Sequence, residues 1–178
     1  MTRGKLRRIL QRGAIAAGLV LICAAAAQQS GILFPDWSGP TAGSYTDPAG
    51  ELGKAVSERR PWSVETMASA VDGKPLEGKP IEVVGEIVDL SCYLQVGKHG
   101  DKHRDCGQKC VANGQPVGLL TEDGTVYMLI DEEHNSRRDG LTDFRQKAIE
   151  HMAHIVTIQG TLSVVTGQRA IYVQGFLK

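Results

Sequence analysis

The fold of this chain is decided by the stretch Ile81-Glu82-Val83-Val84-Gly85-Glu86-Ile87-Val88. Apolar residues alternate with the acidic residues Glu82 and Glu86, and a period of two is typical of a β-strand with one face in the core. Val84 and Val88 stand on the other face and indicate that this face is partly buried as well. The stretch therefore predicts a central strand, from which the rest of the domain can be placed.

A second group of periodic segments follows this strand. In chain order, the pattern predicts strands over 117–121 and 125–130, a helix over 141–152, and strands over 156–164 and 171–173. Glu122-Asp123-Gly124 and Thr166-Gly167-Gln168 separate the paired strands and are typical hairpin turns. The helix is predicted from apolar residues at helical spacing.

Three strands, a helix and two strands is the element order of an OB-fold, a small and partly closed barrel. We therefore expect a mainly β, OB-like barrel with one or two short helices, occupying residues 62–178. Gly85, Gly160 and Gly175 suit corners of such a barrel. Ser63 is the expected N-cap of a short helix before the first strand.

The first 27 residues have the layout of a secretory signal. Five basic residues precede an uncharged apolar run over 13–27, which ends in alanines. The run has 15 residues, whereas a full membrane crossing needs roughly 20. We therefore expect a signal peptide, with an uncleaved N-terminal anchor as the alternative. The protein is then exported, and is either periplasmic or tethered to the outer face of the inner membrane through this segment alone.

Residues 28–61 lack the periodicity of the rest of the chain. Pro35, Pro40 and Pro48 and several glycines interrupt this segment. Proline and glycine at such density are typical of loops. We expect a linker between the leader and the domain.

The charge of the chain bears on its partners. The whole sequence has 20 basic and 20 acidic residues; without the five basic residues of the leader, 15 basic residues face 20 acidic ones, a net charge of −5. A net acidic surface gains nothing from phosphate contacts. We expect no nucleic-acid binding, and a protein partner in the periplasm or at the membrane instead.

Three cysteines lie beyond the predicted leader. Cys92 follows the first predicted strand, and Cys106 and Cys110 lie in the segment 101–114, which we expect to hold a short helix. On such a helix, His103, Cys106 and Cys110 share one face, because residues three and four apart are neighbours. One imidazole and two thiols would then point towards Cys92.

This constellation fits three functions. A structural disulfide from Cys92 to Cys106 or Cys110 suits an oxidising compartment, but leaves one thiol over. A metal site of the three thiolates, with or without His103, would select Cu(I) or Zn(II). A thiol redox site needs a cysteine of lowered pKa. The sequence favours the metal, with the disulfide-stapled binding module and the redox protein as alternatives.

The region from Gly85 to Ile130 resembles a group of exported bacterial OB-fold-like proteins of unassigned activity. The resemblance lies in the pattern Cys-Tyr, His-x-x-Cys-x-x-x-Cys and Gly-x-Pro-Val-Gly, formed by Cys92-Tyr93, His103, Cys106, Cys110, Gly114 and Pro116-Val117-Gly118. It implies a compact exported module with a Cys/His site, and it names no reaction.

The other histidines and the rest of the sequence offer little chemistry. His134 lies in a charged loop, and His151 and His154 lie at the end of a predicted helix, where an imidazolium suits the helix dipole. The turn over 97–100 is not expected to be a site. No Ser/His/Asp arrangement, phosphate loop or paired carboxylate stands out in the sequence, which favours a non-enzymatic module over a hydrolase.

Overall fold

The structure is a computed structural model, and it describes residues 38–54, 60–132 and 140–175. The predicted leader, residues 1–27, and His134 lie outside the described residues. Within the described ranges, no helix combines the length and the apolar character that a membrane crossing needs.

Five strands close into a barrel. The described strands are β1 Glu51–Leu52, β2 Lys79–Asp89, β3 Val117–Leu120, β4 Val126–Asp131, β5 Ile155–Val165 and β6 Gln168–Val173, and all of them except β1 belong to the barrel. β2 pairs antiparallel with β3 and with β5, β3 pairs antiparallel with β4, and β4 pairs parallel with β6. The antiparallel pairing of β6 with β5 completes the ring, and β1 adds to β5 from outside in parallel. The predicted OB-like barrel is confirmed.

Short helices fill the connections between the strands. The described helices are α1 Val64–Ser69, α2 Leu90–Val96, α3 Arg104–Ala112 and α4 Asp143–Glu150. α4 lies between β4 and β5, as predicted, and Ser63 caps α1 by accepting a hydrogen bond from the backbone N–H of Thr66 at 3.1 Å. The fold was expected to have one or two short helices; α1, α3 and α4 lie where individual helices were expected, and α2 is an additional helix in the connection between β2 and β3. We call this connection, residues 90–116, the Cys/His insertion.

The core lies between the barrel strands and the helices α3 and α4. Ile87 from β2, Ile158 from β5 and Ile171 from β6 are fully buried. Phe144 closes the core from α4 with 2% of its surface exposed. β5 and β6 approach so closely that a Cβ atom at Gly160 would collide with the carbonyl oxygen of Tyr172, which explains the glycine predicted at a barrel corner.

The described part of the predicted linker is an ordered arm. We call residues 38–54 the N-terminal arm. Its backbone follows the start of β5: the N–H of Ile155 donates to the carbonyl of Ala42, and the N–H of Thr157 donates to that of Gly50, both at 2.9 Å. Leu52, in β1, is fully buried in the core. The segment 28–61 was expected to be a linker. Its residues 38–54 instead pack on the barrel, where they gain backbone hydrogen bonds and apolar burial.

Candidate metal centre

Asp89 lies at the centre of the predicted Cys/His cluster. It is the last residue of β2 and the N-cap of α2, where its Oδ1 accepts hydrogen bonds from the backbone N–H groups of Ser91 at 3.0 Å and Cys92 at 3.4 Å. These bonds fix the carboxylate at the strand end. They also place Cys92 in the first turn of α2, directly beside Asp89.

The donor atoms of Asp89, Cys92 and Cys110 converge. One carboxylate oxygen and the two Sγ atoms all lie within 4.8 Å of one another. His103 joins them from the 3-10 turn before α3, with its Nε2 3.9 Å from Oδ2 of Asp89. One oxygen and two sulfurs therefore form a group that could hold a metal ion, and the Nε2 of His103 lies beside the carboxylate of that group.

Two of these atoms are buried without a hydrogen-bond partner. Asp89 is fully buried and His103 is 4% exposed. Among the described residues, neither Oδ2 of Asp89 nor Nε2 of His103 has a hydrogen-bond partner. Each orphaned polar atom in a protein interior costs roughly 1–3 kcal/mol. A cation at this point would satisfy both.

The acid–base properties of the cluster follow from its burial. Burial raises the pKa of the Cys92 thiol, and the neighbouring Asp89 carboxylate raises it further. The same two causes raise the pKa of Cys110 to about 12. Burial lowers the pKa of His103, against the opposing effect of Asp89. At neutral pH, and without a metal, the cluster therefore holds two neutral thiols and a neutral imidazole.

Cys106 stands apart from the other predicted ligands. Its side chain is exposed, on the solvent side of α3, and its thiol contacts that of Cys110 one turn away. All three cysteines are free in the structure. Of the predicted set, the structure thus gathers Cys92, Cys110 and His103 around Asp89 and leaves Cys106 at the rim.

Asp89 was not predicted as a site residue. A signal for it exists: Asp89 ends the alternating strand and precedes Cys92 by three residues, the spacing of an N-cap and the helix turn that it fixes. The carboxylate could not be placed without knowing that a helix starts there.

No known protein family, curated protein or solved structure matches this chain. The resemblance to exported OB-fold-like proteins therefore stays a prediction, and the donor atoms themselves carry the chemistry of the site.

A second buried acid borders the cluster. Glu86 is 1% exposed; its Oε1 accepts a hydrogen bond from the backbone N–H of Gly100 at 2.7 Å, and its Oε2 lies 3.1 Å from Nδ1 of His99. The ring of Tyr93 meets that of His99 edge-on, with centroids 5.9 Å apart. Glu86 therefore holds the turn over 97–100 in place, and this turn lies just before His103 in the chain.

His151 and His154 were expected to suit the helix dipole as imidazolium ions, and this expectation is wrong. Burial lowers the pKa of both imidazoles, and the positive charge of Arg104 lowers it further. The cation at the end of α4 is Arg104, whose guanidinium donates to the carbonyl oxygens of Glu150 at 3.1 Å and Met152 at 3.0 Å. Arg104 also contacts Nε2 of His154, so a neutral imidazole accepts there.

Proposed function

We propose that this protein is an exported metal-binding module that holds one Zn(II) or Cu(I) ion between Asp89, Cys92 and Cys110, with His103 as the fourth ligand. The observation that carries the proposal is the convergence of donor atoms from Asp89, Cys92 and Cys110, beside which the buried Nε2 of His103 has no hydrogen-bond partner among the described residues. We further propose that the module serves a protein partner outside the cytoplasm, in electron transfer or in the assembly of a metalloprotein.

The chemistry of the donors favours zinc. Two thiolates, one imidazole and one carboxylate form a ligand set that suits tetrahedral Zn(II). Cu(I) prefers soft sulfur ligands to a carboxylate. The copper candidate therefore depends on Cys106, whose thiol contacts that of Cys110 and would complete a set of three sulfurs.

The raised thiol pKa values support a metal over a redox function. A redox cysteine reacts as a thiolate and needs a lowered pKa, whereas the pKa values of Cys92 and Cys110 are both raised. A bound metal cation provides positive charge at the site. This charge stabilises two thiolates beside a carboxylate, and the metal displaces the protons of the thiols.

The test is the metal content of protein purified under anaerobic, reducing conditions. We expect one zinc or copper ion per chain in the wild type, loss of that ion in Cys110→Ser, and weaker retention in His103→Ala. Cys106→Ser is the matched control, because it changes the same atom one turn away on α3. This variant keeps the ion if the metal is zinc on Asp89, Cys92, His103 and Cys110, and loses the ion if the metal is copper on three sulfurs.

The disulfide-stapled module gives a different result. Protein that retains no metal after the reducing purification, and that shows one free thiol and a bridge from Cys92 when it is prepared without reductant, would contradict the metal proposal and favour the disulfide. Thiol titration of the unfolded, metal-free protein measures this count directly.

A further inference from the structure

The N-terminal arm touches the Cys/His insertion just before His103. The backbone N–H of Asp101 donates to the carbonyl of Gly39 at 3.0 Å, and the N–H of Lys102 donates to Oγ of Ser38 at 2.6 Å. Thr41 adds a side-chain contact, in which its hydroxyl donates to Oδ1 of Asp101 at 3.1 Å. The two residues that precede His103 are therefore both held by the arm.

The contact between the arm and the insertion is close. Gly100 is buried and has a positive φ of 75°. A Cβ atom at this position would collide with the carbonyl oxygen of Ser38. Only glycine permits the arm to approach the turn in this way.

The opposite side of the same turn is held by the barrel. Glu86 on β2 binds the backbone N–H of Gly100 and lies beside His99, as described above. The segment 99–102 is therefore fixed between a buried carboxylate and the arm. The position of His103, the next residue, is therefore fixed by both Glu86 and the arm.

We propose that residues 38–41 of the arm act as a positioning element for the metal centre, by fixing the turn that carries His103. This inference rests on the proposed function of the site. A metal ligand that is held in place before binding loses little conformational freedom when the metal arrives, and groups that orient a ligand typically contribute about 10–100-fold in metal affinity. The arm is anchored independently, since the N–H of Thr41 donates to the carbonyl of Ala153 at 2.7 Å.

The arm itself offers a matched pair of variants. Ser38→Ala with Thr41→Val removes the two hydroxyl contacts to the insertion. Ser44→Ala with Thr46→Val removes the same groups from a turn within the arm, where Oγ of Ser44 accepts from the N–H of Asp47 at 3.0 Å and contacts the Thr46 hydroxyl at 3.2 Å. Both pairs lose one serine and one threonine hydroxyl at the surface.

The measurements are Zn(II) affinity by competition with a chromophoric chelator and the visible absorption of the Co(II)-substituted protein. We expect the variant at 38 and 41 to lose about tenfold in affinity and to change its Co(II) spectrum towards that of His103→Ala. The variant at 44 and 46 should match the wild type in both measurements. Ser38→Thr, which keeps a hydroxyl in the presence of Thr41, should bind like the wild type.

Each outcome decides between the proposals. A wild type that binds none of Zn(II), Co(II) and Cu(I) overturns the metal site and this inference with it. A wild type that binds, together with equal affinities and spectra for the two double variants, overturns the positioning role alone and leaves the metal site standing.

Discussion

At the scale of single residues, the carboxylate of Asp89 determines the acid–base properties of the site. Oδ1 of Asp89 caps α2, and Oδ2 faces Nε2 of His103 beside the two thiols. After burial, the hydrogen bond with Asp89 and then its negative charge are the causes of the raised pKa values of Cys92 and Cys110. Asp89 thus keeps the thiols protonated until a cation arrives, and it would then contribute a ligand itself.

Replacing Asp89 with asparagine separates these roles. The amide oxygen can still cap α2, whereas the charge is lost. We expect the pKa of both thiols to fall, so that iodoacetamide alkylates the metal-free variant faster than the wild type at pH 8. Zn(II) affinity should fall by about 10–100-fold. Asp72→Asn, at an exposed position outside the insertion, is the control, and equal alkylation rates for wild type and Asp89→Asn would contradict the role of the charge.

At the scale of elements, the end of α4 shows a tertiary contact from another helix in the place where the sequence alone suggests a charged histidine. A histidine at a helix C-terminus gains from the dipole when it is protonated. Here Arg104, from α3, occupies that position and donates to two carbonyl oxygens at the helix end. Nδ1 of His151 lies 3.3 Å from Nδ1 of His154, which suits one donor and one acceptor in neutral rings.

This arrangement predicts that stability falls with acid. Burial holds the pKa of His151 and His154 below the ordinary value of 6.5. As pH drops below 6.5, the unfolded chain takes up protons that the folded chain does not, so the free energy of unfolding decreases until the folded-state pKa is reached. Urea unfolding at pH 7.5, 6.5 and 5.5 should show this decline.

The double variant His151→Gln, His154→Gln should show a shallower decline over the same range. Part of the slope should remain, because burial also lowers the pKa of His103. An unchanged slope in the double variant would show that the two imidazoles do not carry the effect.

Elements were predictable where the sequence has a local signature. The strand over 81–88 and the hairpins around Gly124 and Gly167 follow from alternation and turn residues, and β2, β3, β4, β5 and β6 confirm them. α2 was missed, because its start depends on the Asp89 cap and not on a clear apolar period. The docking of the arm was missed for a similar reason: backbone hydrogen bonds to β5 leave no pattern in a Pro/Gly-rich segment.

At the scale of the whole molecule, acidic side chains lie beside a partly buried tyrosine of the barrel. Tyr127, a candidate stacking platform, lines a shallow groove of about 480 Å³ with Tyr45, Glu122 and Asp123. Tyr172 packs edge-on against Trp62, with ring centroids 5.1 Å apart. OB-folds that hold single strands combine stacking rings with a basic groove.

We therefore expect no binding of single-stranded DNA or RNA at physiological salt. Fluorescence anisotropy of a labelled oligothymidylate and a labelled oligouridylate, titrated with the protein at low and at physiological salt, measures this. Submicromolar and salt-sensitive binding would contradict the prediction, and its loss in Tyr127→Ala would place the nucleic acid in the groove.

A substitution at Leu52 tests whether the arm belongs to the folded domain. Leu52 is the large apolar side chain that β1 of the arm places in the core. Leu52 is fully buried and its residue pairs with Ile158 on β5. If residues 38–54 form part of the folded unit, Leu52→Ala leaves a cavity and lowers the free energy of unfolding by about 2–5 kcal/mol. Leu76→Ala is the control; this leucine is 66% exposed, and its truncation should change stability by no more than about 0.5 kcal/mol. Urea unfolding of both variants at pH 7.5 gives the comparison. Equal stabilities would mean that the arm contributes no more than a linker does, and that the folded unit starts near residue 62.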